Sequence, residues 1–408
     1  MSSSEGDHFM RKHARILFIG FGIFGFGLAQ AQSATELVQS ALKNRDKIRA
    51  ARLQIAAAKN TSNSLGAFPM TRLEAGSGTR PDVAGGEELT LFQPFDLFGK
   101  AKAARQGGDA DIKVAEADFR QAELSVQTEV LTAYANLGSA RQNLQNSKDQ
   151  LDIVKAVEAA TKSRVEARAL PEIQLTRAQL EVEKANQSVL DRQADFDAAL
   201  VKLRQTTGIS DPLETDANIE FIPSLEVATG PEKRRPELLA LGAQMAGLRA
   251  EEKQAKLSLA PDVELQGRRS PWADPEMYGV RLQFVVPLWD HGASRQRQQA
   301  AKRKQDATEL EYADLLKQVQ AEIEASKLQY EAAQKAVTTY QKLADGARDL
   351  LTKIQSGFEL GASSLIEVWD AKRAYADALN ELSAARLKRD LAATDLYAAE
   401  GQILGEKA

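Results

Sequence analysis

The chain contains no cysteine. That excludes disulfides, thiolate nucleophiles, cysteine-based metal sites and lipid attachment through an N-terminal cysteine. Histidine is nearly as scarce, with His8, His13 and His291 the only three. One histidine beyond the leader, and no thiol, does not make a zinc or copper centre, so no metal site and no cofactor are expected. His291 reads as a polar residue at a strand-to-helix junction. Aromatics are only 6% of the chain, too few for a thick globular interior, whereas alanine is abundant. That balance favours narrow, closely packed helix seams. The net charge is -4 from 53 basic and 57 acidic residues, so there is neither a basic face for nucleic acid nor an acidic tail. No glycine-rich phosphate loop and no catalytic constellation occurs, and an enzyme is not expected.

Long apolar runs are missing after residue 31, so no membrane-spanning helix is expected there. The run that does exist covers residues 16–28. It follows the basic stretch Met10-Arg-Lys-His-Ala-Arg15 and precedes Ala29-Gln30-Ala31, which reads as a secretory signal cut after Ala31. The start codon is open between Met1 and Met10.

Proline and glycine are absent over unusually long stretches. From Gly292 roughly seventy residues pass without proline and with only Gly346 and Gly357, and residues 363–400 contain neither type. At about 1.5 Å per residue the first of these arms is roughly 100 Å long. The two arms flank the turn Gln355-Ser-Gly-Phe-Glu-Leu-Gly-Ala-Ser-Ser-Leu-Ile-Glu-Val-Trp-Asp370. The same hairpin occurs twice at a constant shift, the 193 residues that separate Pro94 from Pro287. Gly99 then falls on Gly292, Val126 on Val319, Glu129 on Glu322, Ala178 on Ala371, and Gly208 on Gly401. A constant shift held over more than a hundred residues marks tandem structural repeats.

Within each copy the patterns divide. Ile112, Ala115, Phe119, Ala122, Val126, Val130, Ala133, Leu137, Ala140 and Leu144 are spaced three and four apart, with one extra four. That is a coiled-coil seam with a stutter, and its partner is the returning helix bearing Leu175, Ala178, Val182 and Ala185. Before each long helix the period changes to two: Val280, Leu282, Phe284 and Val286 alternate with Arg281, Gln283 and Val285. This predicts a strand with one apolar and one mostly polar face, and a soluble sheet packed on a core would give the same pattern. The fold class is therefore mainly α with a small β part. Residues 1–31 form the leader, 32–208 the first repeat, 209–236 an irregular connector and 237–408 the second repeat. A single helix is expected over about residues 35–64.

These residues resemble the TolC-type outer-membrane efflux proteins over nearly the whole mature chain. The resemblance rests on the repeat, the strand pair before each long helix, and Phe358-x-x-Gly361-x-x-x-Leu365-Ile366-Glu367-Val368-x-Asp370-Ala371. The segment Gln93-Pro-Phe-Asp-Leu-Phe-Gly-Lys100 is similar to the cobalt-zinc-cadmium resistance branch. The resemblance implies a homotrimer in which each protomer gives four strands to a twelve-stranded barrel in outer-membrane lipid, above a periplasmic helical tunnel. It implies a passive exit duct served by a periplasmic adaptor and an inner-membrane pump, with the RND type favoured. The duct of a type I protein secretion system is the alternative. A periplasmic adaptor would carry one hairpin rather than two, and a soluble coiled-coil scaffold would not need four strands.

The resemblance also assigns sites. Val280, Leu282, Phe284 and Val286 face lipid, while Arg281 and Gln283 line water. Glu367 and Asp370, three apart on one helix face, match an acidic constriction at the periplasmic tip, with Phe358 where a gate aromatic sits. Without the resemblance, the two acids read instead as a solvated pair at a helix start, favoured there by the helix dipole. The first-copy turn departs from the pattern: Arg168 stands at the position of Gly361, Pro171 at that of Ser364 and Gln174 at that of Glu367. Arg164, Arg168, Gly361 and Ser363 are the candidates for adaptor contact, although Arg164, Glu166 and Arg168 also read as a solvated charge cluster.

Overall fold

The computed structural model describes residues 33–80, 83–209, 230–270 and 277–405. The leader at 1–31 and most of the connector at 209–236 lie outside the described residues. In chain order the elements are α1 (Ala34–Asn44), α2 (Asp46–Leu65), β1 (Arg72–Arg80), β2 (Val83–Phe95), α3 (Lys100–Glu166) and α4 (Glu172–Thr207). A short 3-10 turn (Pro231–Lys233) then leads into α5 (Pro236–Leu257), β3 (Asp262–Ser270), β4 (Met277–Val285), α6 (Ala293–Glu359) and α7 (Leu365–Glu400). No helix among the described residues is long and apolar enough to cross a membrane.

The internal repeat holds residue for residue in the hairpins. Helices α3 and α6 both have 67 residues, and α4 and α7 both have 36. Each pair starts 193 residues apart, Lys100 with Ala293 and Glu172 with Leu365. At about 1.5 Å per residue the long arms extend about 100 Å. Ahead of the second strand of each copy the shift is 190, the separation of Arg72 and Asp262, whose partners Phe92 and Val285 are again 193 apart. The second copy is therefore three residues longer between these paired positions.

The helix expected over residues 35–64 is two helices. Arg45 interrupts them with an extended backbone (φ -70, ψ 129) and serves as the N-cap of α2. Its guanidinium explains the break. Nη1 donates to the Thr206 carbonyl at 3.1 Å and Nη2 to Glu129 at 2.8 Å, tying α2 to the end of α4 and the side of α3. The second copy repeats this clamp. Arg235, the N-cap of α5, donates to the Ala399 carbonyl at 2.9 Å and pairs with Glu322 at 3.0 Å. Thr206 and Ala399, like Glu129 and Glu322, are 193 apart, whereas the arginines are 190 apart because both precede the strand hairpin. Each clamp ties the end of a returning helix to the side of its long partner.

Packing is lateral. Helix α3 pairs with α4 and α6 with α7; α3 and α7 join the two hairpins, and α5 lies between α3 and α6 nearer the sheet. The core is correspondingly divided. One cluster packs Leu37, Val38 and Ile48 on Val126, Val130, Leu137 and Leu203, a second surrounds Tyr330 and Leu396, and a third sits at the hairpin tips. Each fully buried aliphatic side chain there contributes about 1.5–3 kcal/mol. The outermost helices of the hairpin layer are α4 and α6. In the sheet, strand order is β1-β2-β3-β4 with every pair antiparallel, so β1 and β4 are its open edges.

Candidate functional site

The sheet register sorts side chains onto two unlike faces. Leu73 lies opposite Leu91, Leu91 opposite Gly267 and Gly267 opposite Val280; one step on, Leu265 lies opposite Leu282, and then Val263 opposite Phe284. Val280, Leu282 and Phe284 on this face are 78%, 52% and 58% exposed, and Leu73 and Leu91 are exposed beside them. Only at its helix end is this face covered, with Val263 buried beside Phe95 and Phe68; an apolar face otherwise left open is unusual for a sheet that covers a core. The opposite face is a polar network. Arg281 donates to Gln266 Oε1 at 2.6 Å, Gln266 donates onward to Gln283, and Arg72 pairs with Glu264 at 3.0 Å. Val286 lies one residue beyond β4 and is exposed, so the strand ends earlier than the alternation implies. The apolar surface continues past the strands through Leu97, Phe98, Leu288 and Trp289, all exposed at the elbows into α3 and α6.

At the far end the two hairpin tips lie together. Both turns close with the same hydrogen bonds. Arg168 N–H donates to the Val165 carbonyl at 2.8 Å and Ala169 N–H to Arg164 at 2.8 Å; Gly361 donates to Phe358 at 3.0 Å and Ala362 to Gly357 at 2.7 Å. Gly361 takes φ +83, and Arg168, its counterpart, is held at φ +62. A non-glycine residue in that left-handed region costs about 1–2 kcal/mol, yet the turn keeps its shape. Pro171 is the N-cap of α4, where its missing N–H deprives no hydrogen bond of a donor.

Phe358 is not free bulk at a constriction. It is 2% exposed and packs with Val157, Leu365 and Val368 in the core that joins the tips. The Arg164 guanidinium lies 4.7 Å from its ring centroid, and Nη1 donates to the Phe358 carbonyl at 2.8 Å. Such a partly desolvated cation–π contact is worth about 0.5–2 kcal/mol. Arg164, half-buried, thus braces the tip from within. Arg168 and Gly361 are exposed and Ser363 is half-buried.

Glu367 and Asp370 are both exposed, one turn after the bend. Glu367 also has a local task. Its Oε2 accepts from Ser364 N–H at 2.7 Å and from Ser364 Oγ at 3.1 Å, while Ser364 Oγ accepts from Glu367 N–H at 3.3 Å. This reciprocal capping box starts α7, and the Ser364 hydrogen bonds hold the Glu367 carboxyl below the usual glutamate range. No group of three or more metal-ligating side chains occurs among the described residues.

The sequence reading missed the two arginine clamps. Their only trace is two different shifts, 190 for the arginines and 193 for their partners.

A two-faced four-stranded sheet below which paired helical hairpins run for about 100 Å defines a channel-wall architecture. The outer membrane efflux protein family model matches residues 37–209 and 232–402, and the chain belongs to that family. Membership places the protein in the outer membrane as an efflux channel component. The chain is 23% identical over 335 residues to the pyoverdine export outer membrane protein OpmQ of Pseudomonas aeruginosa, covering 77% of this chain and 69% of that one. It is 23% identical over 296 residues to the cobalt-zinc-cadmium resistance protein CzcC of Cupriavidus metallidurans, covering 69% and 68%. The solved CusC channel superposes with a TM-score of 0.76 at 18% identity, covering 92% of this chain and 96% of that one.

Proposed function

We propose that the chain is the passive exit duct of a tripartite efflux system, working as a homotrimer. The observation that carries this is the sheet with an exposed apolar face and two open edges, β1 and β4. An open sheet edge is not tolerated in lipid, because its N–H and C=O groups go unpaired. Four strands are also fewer than the eight of the smallest membrane barrels. Both problems vanish if β4 of one protomer pairs with β1 of the next, and three copies make a twelve-stranded barrel. Val280, Leu282 and Phe284, with Val286 just beyond β4, then face lipid, and Arg281 and Gln283 face water. The exposed edges of α4 and α6 meet in the same closure, which makes the hairpins a tunnel.

The partners follow from the resemblance to the TolC-type efflux proteins. A passive duct depends on an inner-membrane pump, of RND type, reached through a periplasmic adaptor that contacts the tips at Arg168, Gly361 and Ser363. Glu367 and Asp370 form two acidic rings at the closed end, and crowded carboxylates there attract cations. Similarity to a relative named for cobalt, zinc and cadmium resistance supports divalent metal ions as cargo.

The test has two arms. The mass of the purified protein in detergent should be that of three chains, and a monomer with intact sheet overturns the duct. In planar bilayers a divalent or trivalent cation on the periplasmic side should block current in the wild type and not in Glu367→Gln/Asp370→Asn. Glutamine also serves in a capping box, so α7 should keep its start in that variant. Unchanged block removes the acidic gate.

A further inference from the structure

We propose that the groove between the two hairpins, midway along them, is a binding site for a small oxyanion, a phosphate or a carboxylate, held by Lys372, Lys184 and Arg192 with the amide of Gln150. This goes beyond the duct reading and does not depend on it. The groove contains a cavity of about 290 Å³ with α3 as its floor and α4 and α7 as its walls. Three cations and a single carboxylate, Glu181, line it. That carboxylate is already engaged by Lys184 Nζ at 2.7 Å and Arg192 Nη1 pairs with Asp195 at 3.3 Å, so of the three cations Lys372 alone has no ion pair among the described residues.

Two side chains in this lining lack what their chemistry calls for. The Gln150 amide nitrogen and oxygen are both buried and neither has a hydrogen-bond partner. A buried amide in that state is unfavourable unless a bound group satisfies it. Lys372 is half-buried, and Glu181 and Asp377 act on it only through their fields, against Lys184 and Arg373. Burial pushes its pKa below the ordinary lysine value. An oxyanion accepts from the ammonium, the guanidinium and the Gln150 NH₂ at once, and a protonated phosphate also donates its hydroxyl to the Gln150 oxygen.

The position gives such binding a consequence. The hairpins touch through α3 and α7, and in this stretch the seam is polar, with Ser383 Oγ donating to Asn143 at 2.6 Å. An anion shared by Lys184 and Arg192 on α4 and Lys372 on α7 bridges the two hairpins where no apolar core does.

The experiment is competitive acylation of lysines in the full-length protein in detergent, read by peptide mass spectrometry. Inorganic phosphate is compared with chloride at equal ionic strength. Phosphate should slow labelling of Lys372 saturably by about tenfold, the scale of charge-assisted hydrogen bonds, and leave the exposed Lys353 unchanged. Gln150→Leu and Arg192→Met should each weaken the protection while helical content stays at the wild-type value. The leucine variant removes an unsatisfied amide, so loss of fold is not its expected effect. Protection by phosphate no greater than by chloride overturns the site. Full protection retained in both variants overturns the assignment of its donors.

Discussion

Replacing Arg235 with alanine tests whether the arginine clamps hold the ends of the returning helices. The side chain is 10% exposed and makes three kinds of contact: the Ala399 carbonyl at 2.9 Å, Glu322 at 3.0 Å and Glu237 at 3.1 Å. The two carboxylates are about half exposed, at 52% and 41%, so water replaces most of what they lose and screening keeps the ion-pair share small. The larger cost is the hydrogen bond from a charged donor to a buried carbonyl, about 1.5–3 kcal/mol, with lost packing of the stem added. A local destabilisation of about 2–3 kcal/mol follows, or roughly 30- to 150-fold in an opening equilibrium. The assay is amide hydrogen exchange at the end of α7, where Gly401 and Gln402 donate to Ala398 and Tyr397. Arg45→Ala should act on the end of α4 in the same way but less, since Arg45 is 22% exposed. Arg235→Lys should lie between, because an ammonium keeps the charge and loses the fork. If exchange at Gly401 and Gln402 in Arg235→Ala stays within about threefold of wild type, a change of under 1 kcal/mol, the clamp does not set the helix end.

Four further outcomes are expected. Leu282→Arg should lower outer-membrane yield by placing a cation on the apolar sheet face, at about 2–4 kcal/mol near a bilayer midplane, and Arg281→Leu much less; equal yields would reverse the assignment of faces. Phe358→Ala should destabilise the tip by about 3–5 kcal/mol through the cavity it leaves, seen as faster proteolysis between α6 and α7; raised resting conductance with an undisturbed tip would restore Phe358 as a plug. Arg168→Gly should stabilise the first turn by about 1 kcal/mol in denaturant unfolding, because glycine carries no left-handed penalty. Glu367 has a depressed carboxyl pKa, so its cap contributes above the ordinary glutamate value and is lost as pH falls through the lower folded value. Protection of the first amides of α7, corrected for the intrinsic exchange rate at each pH, should therefore fall on acidification below the ordinary glutamate range, and Ser364→Ala should show that loss of protection already at neutral pH.

What was legible in the sequence is what short-range geometry demands. Roughly seventy residues with no proline and only two glycines require a long helix, and a three-four spacing with a narrow apolar stripe requires a partner helix. Alternation from Val280 to Phe284 requires a two-faced strand, and the constant shift requires that everything happen twice. The turn bonds of Arg168 and Gly361 agree bond for bond because the same spacing closes both. The tertiary structure decided the rest. Phe358 is a packing residue because Arg164, 194 residues earlier, lies over its ring, and no local spacing carries that information. The break at Arg45 is likewise set by Thr206 and Glu129 on other helices. Which edges stay open, β1 and β4 or α4 and α6, depends on how the two copies lie against each other. Periodicity reports what a residue needs from neighbours within a turn or two, whereas a seam between helices is fixed by where they cross, and that is settled only when the hairpins pack.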